Sequence, residues 1–141
     1  MSALNLDKAN EIVSAALEAA REMGIPPVTV VVLDASGDLK AMQREDGASM
    51  FRFDVATGKA WGAVGMGVSS RTLAERAQEN PNFFVALGAT GGGKFLPQPG
   101  AVLIKDGDGT IIGAAGASGG TGDEDEAICA RGVEAAGLTA G

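Results

Sequence analysis

Glycine constrains this chain more than any other residue: it occupies 22 of 141 positions, roughly twice its usual share of about 7%. Each glycine weakens a helix or strand unless something compensates, usually a positive φ or the close approach of another backbone or a ligand. These glycines are clustered rather than periodic, which excludes collagen and low-complexity chains. The core must come from small and aliphatic side chains, because 45% of residues are apolar but there are only five Phe, one Trp and no Tyr. A chain this long buries about 68–70% of its unfolded surface as one domain, so residues 1–141 are read as a single domain.

The formal net charge is −7 and the pI is near 4.5, which disfavours nucleic acid or an anionic membrane as partner, since either needs a basic face. One Cys allows no internal disulfide and gives no sign of an oxidising compartment. The opening "MSALNLDKANEI" has no basic n-region and no long apolar run, so it reads as a helix start and not as a signal peptide or membrane span. A soluble, cytoplasmic protein is expected. With no histidine at all, Ser-His-Asp and Cys-His nucleophiles and His-based zinc or iron sites are excluded. Proton transfer is left to Asp, Glu, Lys, Cys or water, and no metal site is predicted.

Leu6, Ala9, Ile12, Val13, Ala16, Leu17, Ala20 and Met23 fall at helical spacing, stopped by Gly24 and Pro26-Pro27. "VTVVVLD", the turn "DASGD" and "LKAMQRED" predict a β-hairpin. Residues 49–66 look helical despite Gly58, Gly62 and Gly65, so this helix is expected to pack closely on another backbone. Ser69-Ser70 cap "RTLAERAQEN", which Pro81 ends. "PNFFVALGATGGGKFLPQPG" is read as a long Gly/Pro-rich loop, of a length usually functional or mobile. "GAVLIKD", "GDG" and "TIIGAAGASG" predict a second hairpin. A last helix runs from about Asp123 to Ala136, with Cys129, Ala130, Val133 and Ala136 on one face. This order predicts an α+β fold, an antiparallel sheet with helices packed on it.

Three stretches together resemble a known family. "VVVLDASGDLKAMQREDGA" resembles its strand–turn–strand leading to Arg-x-Asp-Gly-Ala. "ATGKAWGAVGMGVSSRTLAER" resembles its Lys-containing helix and the capped helix that follows. "GGGKFLPQPGAVLIKDGDGTIIGAAGASGGTGDEDEAICARGVEA" resembles its closing strands and Ser-Gly-Gly-x-x-x-x-Asp-Glu helix start. The chain is similar over nearly its whole length to the GlcG/HbpS family, also found as the C-terminal domain of PduO-type proteins. The resemblance implies a single-domain α/β/α layered fold, an antiparallel sheet of about five strands flanked by helices, and assembly as a homo-oligomer. Family members are associated with haem or its degradation products, and others with small organic acids or ring-cleavage products. Fold transfers more safely than chemistry. The chain departs from the family pattern in having no histidine, in Ala101 where "QPGAVLI" replaces a second glycine, and in the insert-like "NPNFFVALGA".

Arg44 offers a planar cation for bidentate capture of a carboxylate, with Asp46 as orienting group or base and Gly47 beside it; alternatively "REDG" is a solvated turn. Lys59, in a small apolar helix, is a base or anion partner if buried, and otherwise snorkels to water. "GGGK" lacks the Ser/Thr of a phosphate loop and fits a mobile lid better. Phe83 and Phe95 either line a flat ligand or anchor the loop. In "SGGTGDEDEA", Gly119 and Gly120 let backbone approach a ligand and present amides to an oxyanion. Thr121 caps the helix, and its acids complement the helix dipole. Asp125 and Glu126 match the family pair. Cys129 is expected in the core. Met42, Met50 and Met66 are better read as gap-fillers than as iron ligands.

The function expected from the resemblance is binding of a small molecule, haem or another tetrapyrrole, at an oligomer interface, with no His available as ligand. The alternative is a cofactor-independent hydrolase, isomerase or tautomerase of a small organic acid. There Arg44 would hold the carboxylate, and Asp46, Lys59 or Glu126 would move the proton.

Overall fold

Helix α1, Leu6–Met23, begins where the Asn5 carboxamide oxygen accepts the Lys8 amide at 2.8 Å and ends at Gly24, whose φ of 67° closes it in the left-handed region. This computed structural model describes residues 3–141; Met1 and Ser2 of the N-terminal stretch lie outside the described residues. The apolar face of α1 buries Ala9, Ile12, Val13, Ala16, Ala19 and Ala20. Strands β1 (Thr29–Asp34) and β2 (Leu39–Arg44) form the expected hairpin. Its turn is held by the Asp34 carboxylate, which accepts the Ser36 and Asp38 amides.

Helices α2 (Phe51–Met66) and α3 (Ser70–Glu79) follow as expected. The segment read as one long loop instead contains helix α4, Pro81–Thr90, with Pro81 in its first turn. Its helical pattern was hidden because α4 has almost no buried stripe: only Phe84 is buried, while Val85 is 75% exposed. Strands β3 (Ala101–Lys105) and β4 (Ile111–Ser118) make the second hairpin. After α5 (Gly122–Ala135), a two-residue strand β5 (Thr139–Ala140) adds to β3. The fold is α+β, with one five-stranded antiparallel sheet in the order β2-β1-β4-β3-β5.

Alternation along the strands divides the core in two. Val30, Val32, Val102, Ile104, Ala115 and Ala117 face α1 and α5, whereas Val31, Leu33, Ala101, Leu103 and Ala114 face α2. On α5 the buried positions are Asp125, Ile128, Cys129, Gly132 and Val133, with Ala130 only half-buried. The close approach to another backbone expected of the α2 glycines holds at Gly58, while at Gly62 the close neighbour is a side chain. A Cβ on Gly58 would lie 3.0 Å from the Lys94 carbonyl oxygen, and one on Gly62 would lie 2.8 Å from the Phe95 ring. Gly65 has nothing within 4 Å, so no packing partner accounts for that glycine. Among the described residues no helix is long and apolar enough to cross a membrane.

Candidate functional site

Three elements bring charge into the interior at one end of the sheet. Lys59, 5% exposed among the alanines of α2, donates from Nζ to the Ala117 carbonyl oxygen at 3.0 Å and to Asp125 Oδ2 at 3.2 Å. Asp125, 1% exposed in the first turn of α5, accepts the Gly120 amide on its other oxygen at 2.9 Å. Such a pair persists in the interior because Coulomb attraction and these further hydrogen bonds offset the desolvation of both charges. The lysine fits only because residue 100 is glycine: a Cβ there would stand 2.5 Å from Nζ, and the backbone φ is +137°. Asp125 is held in place by a capping box, in which the Thr121 hydroxyl accepts the Glu124 amide and the Glu124 carboxylate accepts the Thr121 amide.

Above this pair lies a cleft of about 420 Å³, lined by Arg52, Val55, Leu96, Pro99, Ser118 and Gly120 among others, within the size range of small-molecule sites. Arg52 reaches in from α2 and donates to the Ser118 hydroxyl at 3.3 Å. Sequence reasoning missed Arg52 and Ser118. A signal existed for Arg52, which precedes Lys59 by two helical turns and so shares its face. Nothing local in "GASGG" marks Ser118; only strand pairing brings it here.

The other residues singled out are distributed around this centre. Arg44 ends β2 and donates to the Ala48 carbonyl oxygen at 2.8 Å. Its register partner is Thr29, and that of Thr29 in turn is Ser118, so the three form a row on the α2 face of the sheet. Asp46 is exposed and, with Arg44, Arg21, Gln43 and Glu45, lines a second cleft of about 440 Å³ toward α1. Gly47 turns the chain into α2 with φ +89°. Glu126 is drawn away from Lys59 by Arg71, whose Nε donates to both its oxygens at 3.0–3.1 Å. Arg71 also pairs with Asp123, tying α3 to α5, and these carboxylates, Glu126 foremost, raise its pKa further.

Phe95 is 8% exposed and stacks on Phe84 at 5.8 Å in a small core with Leu73, while Phe83 is 49% exposed and meets Phe84 edge-on at 5.3 Å. They anchor α4 and the loop after it, and neither lines the Lys59 cleft. At Gly119 a Cβ would stand 2.3 Å from the Pro27 carbonyl oxygen, so its glycine answers to another backbone. The Gly120 amide, expected to face an oxyanion, is already committed to Asp125. Cys129 is fully buried, and burial, followed by the charge of Asp125, pushes its thiol well above the usual range. Among the described residues no group of three or more Asp, Glu, Cys or His side chains is placed to hold a metal ion.

The chain as a whole is similar to known proteins. Corrinoid adenosyltransferase PduO of Salmonella typhimurium is 29% identical over 133 residues, covering 94% of this chain but 39% of that protein. The crystal structure of a PduOC–haem complex superposes with a TM-score of 0.86 at 28% identity, covering 97% of both chains. A double mutant of HbpS from Streptomyces reticuli gives 0.81 at 28% identity, covering 95% of this chain and 87% of that one. The family model described as haem degrading protein HbpS-like matches residues 4–134, and with nearly the whole chain inside that match, the chain belongs to the HbpS-like family.

Proposed function

We propose that this chain is a small-molecule-binding protein that takes haem or a related tetrapyrrole at the Lys59–Asp125 cleft, with the open side of the cleft completed by a second copy of the chain. The observation carrying this reading is the cleft itself, an opening of about 420 Å³ with Arg52 and the Ser118 hydroxyl beside apolar Val55, Leu96 and Pro99. It combines an apolar patch with convergent polar groups, Gln98, Thr121 and Asp123 among them, and a guanidinium suited to a carboxylate. The likeness over 97% of both chains to a protein crystallised with haem adds support. Arg52 fits a carboxylate of such a ring; for its iron the cleft lining has no His, Tyr, Cys or Met, and its carboxylates, Asp123 and Asp125, are held by Arg71 and Lys59. Titration of the purified protein with haemin, followed at the Soret band, tests this. A saturable shift at one haem per subunit or per dimer is expected, and a purely linear response would sink the reading.

One observation favours a second reading, a cofactor-independent enzyme acting on a small organic acid. The Lys59–Asp125 pair is buried yet borders the cleft, as a proton-transferring group would. In that case Arg52 or Arg44 would hold the substrate carboxylate. Turnover of an unsaturated carboxylic acid that disappears in Asp125→Asn would favour it over simple binding.

A further inference from the structure

We infer that this chain holds its tetrapyrrole by the carboxylates alone, with no axial bond to the metal, so that iron is dispensable for binding. The inference rests on the binding reading above and specifies what the site recognises.

The donors that could reach iron can be taken in turn. Haem is usually held through His, Cys, Met or Tyr. The chain has no His and no Tyr, and any number of identical copies brings none. Cys129 is enclosed on every side with its sulfur 3.7 Å from the Gly100 carbonyl oxygen, and its thiol is held in the protonated form by burial. Lys59 directs its ammonium to Ala117 and Asp125, and an ammonium has no lone pair to give. Met42 packs against the core beneath α2, and Met23 and Met66 are the last residues of α1 and α2. Met50, 73% exposed at the start of α2, is two residues from Arg52 in the chain and is the thioether to test among the described residues.

The carboxylate side is better provided. In a chain with a surplus of acids, Arg21, Arg71 and Arg131 are each paired with a carboxylate. Arg44, Arg52 and Arg76 have no carboxylate partner among the described residues, and of these Arg44 and Arg52 belong to the α2 face of the sheet. Of the two, Arg52 lines the cleft over Lys59 and Arg44 the one toward α1, and the backbones of Arg44 and Ser118 are two strand spacings apart, roughly 10 Å. Between them Thr29 is fully buried and its hydroxyl has no hydrogen-bond partner, a defect that asks for a missing partner in a row otherwise satisfied. Helix α2 also begins there without a side-chain cap, leaving amide donors and the positive end of its dipole toward the same place.

Equilibrium titrations with haemin, with metal-free protoporphyrin and with its dimethyl ester test this. Haemin and the metal-free ring are expected to bind within about threefold of one another, and the ester at least about tenfold more weakly, the loss of a charge-assisted hydrogen bond. Arg52→Ala should weaken both free acids by about tenfold or more while Arg52→Lys recovers part of the loss, with circular dichroism showing that both variants fold. Met50→Leu should change neither. Haemin binding at least about tenfold tighter than the metal-free ring, and losing that advantage in Met50→Leu, would overturn this inference and leave the binding function standing. Binding of neither ring would remove both.

Discussion

At Lys59 and Asp125 two charges are almost completely withdrawn from water, so neither tolerates the loss of the other. Asp125→Ala is expected to lower the unfolding free energy by about 3–5 kcal/mol, the cost of an uncompensated buried charge, measured by urea titration. Replacing both together, Lys59→Met with Asp125→Leu, should recover most of that loss. Cys129 makes a prediction at alkaline pH. Its thiol is raised in the folded chain, so the unfolded chain gives up this proton first and stability falls as pH climbs past the unfolded thiol value, about 8.5. The urea midpoint should therefore decline above about pH 9 more steeply in the parent chain than in Cys129→Ala, by at most about 1.4 kcal/mol per pH unit. Parallel curves would remove the effect. Lys59 was visible in the sequence because a lone cation stood among alanines and glycines. Thr29 and Ser118 were not, because nothing around a small hydroxyl residue in a strand tells which strand will lie beside it.

Among the elements, α5 shows how local chemistry places a functional group. The four acids at its start read equally well as a solvated helix entry or a ligand site, and the structure divides them. Glu124 closes the capping box, Asp123 and Glu126 hold Arg71, and Asp125 alone turns inward to Lys59. Thr121→Ala should cost about 1 kcal/mol through the lost cap, seen as a lower urea midpoint. Because Thr121 also lines the cleft, the same variant should weaken haemin binding as well. The helices with a buried stripe, α1, α2 and α3, were legible from periodicity and caps. Helix α4 was not, since exposed Phe83 and Val85 and the neighbouring glycines break the pattern that burial normally imposes. Strand β5 is too short to carry a signal; it forms because Gly141 exchanges both backbone hydrogen bonds with Leu103.

For the molecule as a whole, both hairpins could be read from turn chemistry, while their lateral order could not. It is the pairing of β1 with β4 that aligns Arg44, Thr29 and Ser118 and carries the end of β4 to Lys59. That central strand runs Ile-Ile-Gly-Ala-Ala-Gly-Ala-Ser and is buried on both faces beyond its first residue. A Cβ on Gly116 would stand 2.5 Å from the Ala56 carbonyl oxygen, and one on Gly113 would stand 2.2 Å from that of Leu33. The strand therefore acts as a gauge block that fixes how closely α2 stands on the sheet, and with it how wide the cleft opens. In a comprehensive substitution library the tolerant positions would gather on β2 and α4, while β4 would accept almost nothing bulkier than what it has. Widening the pocket for a larger ligand would then have to proceed from the α2 and loop side, because the sheet has no slack to give.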